Sequence, residues 1–290
     1  MRSEIRFNAH RVSLIFALFG LLWFAAVAAN ASDAVSEADD AEDDRFWNEV
    51  YLQTVYSSYD RNNIIADLSY RSGIHWFRVR NKDVDLYLKF RSMVDRNGDF
   101  WNNLGEAGVG MRYRPFDRWG LVLLHEAMGG GYTRLNLPDD QEILEPTYWD
   151  YRAGFAFWQW WGKQPYEVAG HELYVPFAGW REVYADGLFL LRDNRNFVSS
   201  LSWREGLAMG RIGKTQYDAF LQFQAGGDAN GDYWNNYVKV GPGLRIKPFE
   251  KHDLSLSFAW MKGMYFRGDT EDVSDRFADF NVALAWSFSF

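Results

Sequence analysis

The chain repeats itself at an offset of 133 residues. Residues 47–134 align with residues 180–267 without a gap, and 32 of these 88 positions are identical. The strongest match sets DRNGDFWNN at 95–103 against DANGDYWNN at 228–236, with seven identities in nine positions. Residues 148–161 then match residues 277–290 once four residues of the preceding loop are removed. Self-similarity at a fixed offset indicates a repeated structural unit, so we interpret the chain as a tandem duplication.

Both copies alternate apolar and polar residues. A period of two is typical of β-strands whose two faces meet different surroundings. The last segment shows it most clearly, because Phe280, Val282, Leu284, Trp286 and Phe288 share one face with Phe290, and the residues between them are Asn, Ala or Ser. Each copy contains six such segments, near 48–58, 64–73, 84–93, 105–114, 120–129 and 149–161, then 181–191, 197–206, 216–225, 237–247, 254–263 and 279–290.

Twelve strands form an even number, as single-chain bacterial membrane barrels require. Lipid offers no hydrogen-bonding partner to the edge of a sheet, so a sheet that spans a membrane has to close. The sequence therefore predicts an all-β fold, a 12-stranded antiparallel transmembrane β-barrel formed by tandem duplication of a six-strand unit. We place copy one at 46–161, a linker at 162–179 and copy two at 180–290, within a barrel at 46–290.

The residues before the barrel form two further segments. Three arginines precede an apolar run at 12–28 that ends in Ala29-Asn30-Ala31, which is typical of a cleaved signal peptide at 1–31. Residues 33–44 contain seven acids, and we expect 32–45 to be a disordered acidic tether. Export together with a barrel places the protein in the bacterial cell outer membrane, where outer-membrane lipids and lipopolysaccharide surround it.

If the apolar face meets lipid, the polar face lines the lumen. The predicted lumen acids are Glu49, Asp67, Asp85, Glu182, Asp186 and Asp218. Four cations, Arg112, Arg114, Arg245 and Lys247, form a predicted basic ring near the periplasmic mouth, and we expect few acids at that depth. The ring would then be partly solvated and attract anions. Such charges either fill the lumen as neutralised pairs or line a wet path, since twelve strands lie between filled and open barrels.

Glycines on the inward face also have two interpretations. Gly108, Gly110, Gly241 and Gly243 lie on the same face as the ring arginines. They either ease strand bending and receive a covering aromatic ring, or they widen the lumen above the basic ring. Both interpretations are open at the level of sequence.

The Asn-Gly segments predict hairpin turns in loops outside the cell. Their polar residues are Asp95, Asn97, Asp99, Asp228, Asn230 and Asp232, and the spacing departs from that of a calcium loop. Trp101 and Trp234 stand beside them, either as interfacial anchors or as platforms that stack on sugar rings. We expect turn chemistry here and no metal.

Composition and histidine placement argue against several kinds of chemistry. The chain has no cysteine, and without residues 1–31 it carries 28 basic against 38 acidic residues, which disfavours nucleic-acid binding. We place His75 in a periplasmic turn and His125 on a strand, and neither has the serine and acid spacing of an outer-membrane phospholipase. We expect no cofactor, no catalytic residues and no enzymatic activity.

The last strand resembles the recognition signal of outer-membrane barrels. It ends in Trp286, Phe288 and the terminal Phe290 on one face. The resemblance implies that these three residues form an assembly signal, which the barrel assembly machinery reads.

The turns GVGMRYRPF at 108–116 and GPGLRIKPF at 241–249, with DLSLS at 253–257, resemble the C-terminal barrel of NfrA-type bacteriophage-adsorption proteins. The resemblance covers 46–290. It implies an outer-membrane barrel linked to exopolysaccharide export and used by phage as a receptor. That family carries a helical-repeat periplasmic region where this chain has only the tether, so a separate periplasmic partner would supply that role. The alternatives are a lipid-modifying enzyme and a structural or receptor barrel with a filled lumen.

Overall fold

Twelve antiparallel strands form the fold. The computed structural model describes residues 45–60, 62–79, 82–97, 102–116, 119–133, 147–162, 177–191, 195–231, 233–249, 253–266 and 275–289. The strands are β1 (Phe46–Ser57), β2 (Asn63–Val79), β3 (Lys82–Asp95), β4 (Leu104–Tyr113), β5 (Gly120–Tyr132), β6 (Thr147–Gly162), β7 (Gly179–Leu190), β8 (Asn196–Ile212), β9 (Thr215–Asp228), β10 (Tyr237–Lys247), β11 (Asp253–Tyr265) and β12 (Arg276–Ser289). The signal peptide and the tether as far as residue 44 lie outside the described residues.

The strands close into one barrel. Each strand pairs with its neighbours along the chain, and β1 pairs antiparallel with β12 from Glu49 opposite Ser289 to Ser57 opposite Asn281. This last pairing satisfies the backbone groups that an open sheet would leave at its two edges. The prediction of a closed, 12-stranded, antiparallel barrel is confirmed.

Two strands extend furthest beyond the segments that the alternation predicts. β2 and β8 each contain 17 residues and continue past the segments 64–73 and 197–206. A register shift lies between His75 and Phe77 in β2, and an equivalent shift lies between Ala208 and Gly210 in β8. An extra residue in one strand changes which side chains face inward, so the alternation breaks there while the pairing continues. The placement of His75 in a turn is therefore wrong, because this residue lies in β2.

Strand pairing in the second half repeats that of the first half. The pair His75–Asp85 recurs as Ala208–Asp218, and each pair stands next to a register shift. The β6–β7 seam pairs Trp160 with Glu182, which matches Ser289 with Glu49 at the β12–β1 seam. This recurrence is what two copies of a six-strand unit would produce, and the duplication itself stays a prediction.

The two faces of the sheet differ in chemistry. Exposed apolar side chains such as Leu88, Phe90, Val109, Leu221 and Trp260 cover the outer face. Buried charged side chains occupy the inner face, among them Asp85, Glu106, Arg112, Glu126, Arg152, Asp218 and Arg245. An apolar outer surface around a polar interior is the arrangement of a bacterial outer-membrane barrel. The protein is therefore an outer-membrane protein.

The helices give a separate result. Among the described residues, no helix is long and apolar enough to cross a membrane.

β1 begins and β12 ends at the same end of the barrel, which we call the terminal end. The β4–β5 and β10–β11 connections lie at this end. The Asn-Gly segments lie at the opposite end. Residues 163–176 of the predicted linker are outside the described residues, although β6 ends at Gly162 and β7 begins at Gly179.

The last strand presents its predicted assembly residues to lipid. Trp286 and Phe288 lie on the outer face of β12, with ring centroids 6.5 Å apart. Phe290 lies outside the described residues. The role of these residues in assembly stays a prediction.

The two faces of β12 predict opposite responses to a charge. Leu284 faces lipid near the middle of the strand, whereas Ser287 faces the lumen opposite Tyr51. We expect Leu284→Lys to lower the free energy of unfolding by about 2–4 kcal/mol, because a lysine there enters the hydrocarbon region. Ser287→Lys, on the same strand, should change it far less. Denaturant unfolding in phospholipid vesicles measures both, and equal effects would contradict the assigned faces.

Candidate functional site

A charged cluster occupies the terminal end of the lumen in copy one. Arg112 on β4 donates from Nε to Asp85 on β3, with a nitrogen–oxygen distance of 2.6 Å. Its Nη1 donates to Glu49 on β1, again at 2.6 Å. The guanidinium group lies over the ring of Trp47, 3.5 Å from the ring centroid. Two carboxylates and one indole ring therefore hold this cation, and they come from two strands, β1 and β3.

The same cluster recurs in copy two. Arg245 on β10 donates to Asp218 at 3.0 Å and to Glu182 at 2.9 Å. Its guanidinium group lies 3.8 Å from the ring centroid of Trp180. Each residue stands 133 positions after its counterpart, and the two clusters lie on opposite walls because six strands separate them.

This pairing corrects the expectation that few acids lie at the depth of the basic ring. The side chains of Arg112 and Arg245 are 7% and 5% exposed, and each is neutralised by two carboxylates. Arg114 differs, since its side chain is 45% exposed and its Nη2 lies 3.4 Å from Glu49. A cation is buried only where acids compensate it, so Arg112 and Arg245 belong to ion-paired clusters and Arg114 faces solvent.

Further from this end, copy one carries a denser network. Glu126 accepts hydrogen bonds from Lys89 at 2.8 and 2.9 Å and from the Tyr87 hydroxyl at 2.8 Å. Arg152 donates to Asp150 at 2.8 Å and pairs with Glu106. A third pair joins Arg91 to the predicted lumen acid Asp67, at 2.8 Å. This half of the lumen matches the interpretation that paired charges fill the interior.

Copy two is largely neutral at the matching positions. The residues that stand where copy one has Asp67, Lys89, Arg91, Glu126 and Arg152 are Ser200, Gln222, Gln224, Ala259 and Asn281. The predicted lumen acid Asp186 accepts a hydrogen bond from the Ser200 hydroxyl. The copy-one side of the lumen is therefore the charged wall. On the copy-two side, Ser200, Ser202, Gln222 and Gln224 form a neutral, hydrogen-bonding surface that we call the neutral wall, and Lys239 and Asp279 form an ion pair beside it at 3.4 Å.

Two tyrosines in the lumen were missed by the sequence analysis. Tyr51 on β1 and Tyr184 on β7 stand 133 positions apart on opposite strands, and they lie within electrostatic range of each other. Tyr51 also lies within range of Arg204, and Tyr184 within range of Arg71. Both tyrosines are about half exposed, at 43% and 51%. The sequence contains a signal for both, because Tyr51 follows Glu49 and Tyr184 follows Glu182 by two residues on the predicted lumen face. The two tyrosines also match each other in the alignment of the two copies.

Aromatic rings cover several of the inward glycines. A Cβ atom on Gly110 would meet the ring of Tyr87, and one on Gly243 would meet the ring of Phe220. Trp47 and Trp180 lie in the same way against Gly73 and Gly206. The first of the two interpretations is therefore correct for Gly110 and Gly243, because rings occupy the space that the absent side chains leave.

Side-chain amide groups donate hydrogen bonds to the aspartate Asp95 of the Asn-Gly segment in copy one. Asp95 accepts hydrogen bonds from Asn63 at 3.1 Å and Asn102 at 2.9 Å. The backbone N–H of Asn97 donates to the Asn63 side chain at 3.2 Å. An amide donor on a carboxylate takes the place that a cation would need, so these groups stabilise the loop.

Copy two repeats this loop arrangement. Asp228 accepts hydrogen bonds from Asn196 at 2.8 Å and Asn235 at 2.9 Å, and the backbone N–H of Asn230 donates to Asn196 at 3.2 Å. Trp234 is exposed in a short 3₁₀ helix, whereas Trp101, Asp99 and Asp232 lie outside the described residues. Within the ranges that the structure describes, no group of three His, Asp or Glu residues is placed to hold a metal ion.

The two described histidines have different partners. His75 Nδ1 lies 2.6 Å from Asp85 in the lumen, and His125 Nδ1 lies 2.7 Å from the Tyr151 hydroxyl on the outer face. Neither hydrogen bond involves a serine. The expectation that the protein is not an enzyme stays a prediction.

Comparisons with known proteins give no family. No model of a protein family matches the chain, and no curated protein matches it. Similar solved structures include the β domain of the Bordetella autotransporter BrkA, with 12% identity, a TM-score of 0.36, and coverage of 84% of this chain and 98% of that one. A bacterial polysaccharide outer membrane secretin has 8% identity, a TM-score of 0.41, and coverage of 86% and 100%. LpxR from Salmonella typhimurium has 9% identity, a TM-score of 0.36, and coverage of 82% of this chain and 99% of that one. Likeness at this level says nothing about function.

The two arginines of β4 predict different costs of removal. Arg112→Gln removes an ion-pair partner of the buried Asp85 carboxylate, which then keeps its contact with His75. We expect this substitution to lower the free energy of unfolding by about 3 kcal/mol. Arg114→Gln removes an exposed cation two residues further along the same face and should cost less than about 1 kcal/mol. Denaturant unfolding of the barrel in lipid measures the two values. A cost for Arg114→Gln as large as that for Arg112→Gln would contradict the assigned pairing.

Proposed function

We propose that this protein is a water-filled outer-membrane channel that gives an extended saccharide a path across the membrane. The observation that carries the proposal is the exposure of inward side chains at mid-height in the lumen. Tyr51 and Tyr184 lie on opposite walls there, and about half of each is reached by solvent. A lumen that its own side chains filled completely would bury them.

The chemistry of the neutral wall supports a sugar as the ligand. Serine hydroxyls and glutamine amides line this wall, including Ser202, Gln222 and Gln224. These groups donate and accept hydrogen bonds without net charge, as sugar hydroxyls do. An extended saccharide would exchange hydrogen bonds along this wall at little net cost in desolvation.

The resemblance to NfrA-type proteins supports a more specific role in exopolysaccharide export. The loops at the end opposite the chain termini would then face the outside, where phage could adsorb. A periplasmic partner would deliver the polymer to the terminal end, and a signal peptide at 1–31 would direct the chain to the periplasm. The barrel assembly machinery would insert it.

A structural barrel with a filled lumen is the second candidate. The charged wall favours it, because the ion pairs of Glu126 with Lys89 and of Glu106 with Arg152 are buried and block one side of the lumen. The two candidates differ in whether ions pass. A conductance measurement therefore separates them.

Removing the two central tyrosines should widen the path. We expect Tyr51→Ala with Tyr184→Ala to raise single-channel conductance in planar bilayers by about twofold or more, since both side chains project into the lumen between opposite walls. Tyr151→Ala removes a tyrosine from the outer face and provides the matched control, which should leave conductance unchanged.

Two results would contradict the channel. An absence of conductance in the natural protein and in the double variant would favour the filled barrel. Conductance that rises equally in the Tyr151→Ala control would show that the tyrosines do not set the width of the path.

A further inference from the structure

A cavity of about 480 Å³ opens at the terminal end of the lumen, against the wall of copy one. Its lining combines aromatic side chains with charged ones: Phe116, Trp119, Trp158, His75, Asp83 and Arg114. This volume falls within the range of small-molecule sites, which hold a few placed polar groups beside aromatic surfaces. We call it the vestibule cavity.

The aromatic side of the vestibule cavity is open to solvent. Trp158 points inward from β6 opposite Gly120, whose missing side chain leaves room for the indole ring. Trp119 and Trp158 are each about half exposed. Wide aromatic faces in a polar, solvated mouth offer apolar area to a ligand that is also polar, and the C–H face of a sugar ring has this character.

The charged side favours an acidic ligand. Asp83 accepts a hydrogen bond from Arg78 at 2.7 Å, and Asp85 is paired with both Arg112 and His75. These acids are therefore already compensated. Arg114 is held less firmly, because its contact is 3.4 Å long and reaches a Glu49 oxygen that also lies 2.6 Å from Arg112. An exposed guanidinium group with an incomplete partner binds a carboxylate well, since its planar fork matches two oxygens.

Copy two lacks most of these features. Ser287, Ser289, Ala208 and Gln216 stand at the positions that match Trp158, Trp160, His75 and Asp83. The barrel closes with either set of residues, so the fold does not require the aromatic and charged lining. The difference between the copies points to a ligand at one wall only.

We propose that the vestibule cavity binds an acidic sugar unit, with its ring against Trp158 and its carboxylate on Arg114. The inference rests on the proposed function, since it names the class of saccharide that enters the channel and the place of entry. An acidic polymer would bind here first and then pass along the neutral wall.

Binding of defined oligosaccharides tests this proposal. Isothermal titration calorimetry on the barrel in lipid nanodiscs would compare tetragalacturonic acid with maltotetraose, a neutral oligomer of equal length. We expect the acid to bind about tenfold more tightly than maltotetraose. Trp158→Ser and Arg114→Gln should each weaken its binding by about tenfold, which is the equivalent of one aromatic contact or one charge-assisted hydrogen bond.

Two control variants keep the effects separate. Lys214→Gln removes an exposed cation from the β8–β9 turn, at the same end but outside the cavity. Trp149→Ser removes an exposed tryptophan from the outer face of β6. Both should bind the acid as the natural protein does. If Trp158→Ser does not fold, Trp119→Ala replaces it, because Trp119 precedes β5 and is not part of a strand.

The outcomes distinguish this inference from the proposed function. Equal binding of the two oligomers, no binding of either, or equal losses in Arg114→Gln and Lys214→Gln would overturn the acidic-sugar site. A barrel that conducts ions but shows any of those results would keep the channel without the site. A barrel that binds the acid as expected but never conducts would keep the site without the channel.

Discussion

Every backbone N–H and C=O group that enters lipid has to bond to another strand, because the hydrocarbon offers no partner. The rest of the structure depends on this constraint. It forces β1 to pair with β12, which fixes the barrel as a closed ring. Closure then decides which side chains meet lipid and which meet the lumen. The apolar side chains of each alternating strand therefore face lipid, and the polar side chains between them face the lumen.

A polar interior carries its own constraint. A charged group taken from water is stabilised only by a partner of opposite charge or by hydrogen bonds. The buried Arg112 and Arg245 satisfy it with two carboxylates and an aromatic ring each. Copy two replaces the pair of Lys89 and Glu126 as a unit, with Gln222 and Ala259. At the positions of Arg152, Glu106 and Asp150 it has Asn281, Lys239 and Asp279, and Lys239 pairs with Asp279. Charges in the lumen are therefore lost or rearranged together with their partners, which leaves the copy-two wall with fewer of them.

The sequence predicts the strands and their faces well, and for a physical reason. Alternation is local, so residues such as Asp85 and Leu284 can be assigned to a face from their immediate neighbours. The register shift at His75 cannot be read this way, since it depends on the partner strand. The ion pair between Glu49 and Arg112 is harder still, because 63 positions and two intervening strands separate them. The sequence places Tyr51 and Tyr184 on the lumen face, but only closure of the barrel places β1 across from β7 and so sets the two tyrosines opposite each other.

The β6–β7 seam and the β12–β1 seam have matching registers, and this affects which of the two seams could carry the chain termini. β6 meets β7 with the same offset as β12 meets β1, so neither seam is distinguished by its hydrogen bonds. The position of the chain termini is then a matter of connectivity and not of barrel geometry. A circular permutant that begins at Gly179 and ends at Gly162, with the present ends joined by a linker, would have every strand pair that the natural barrel has. The order in which the strands are synthesised and the place of the predicted assembly signal in the chain would change, while the strand pairs would not.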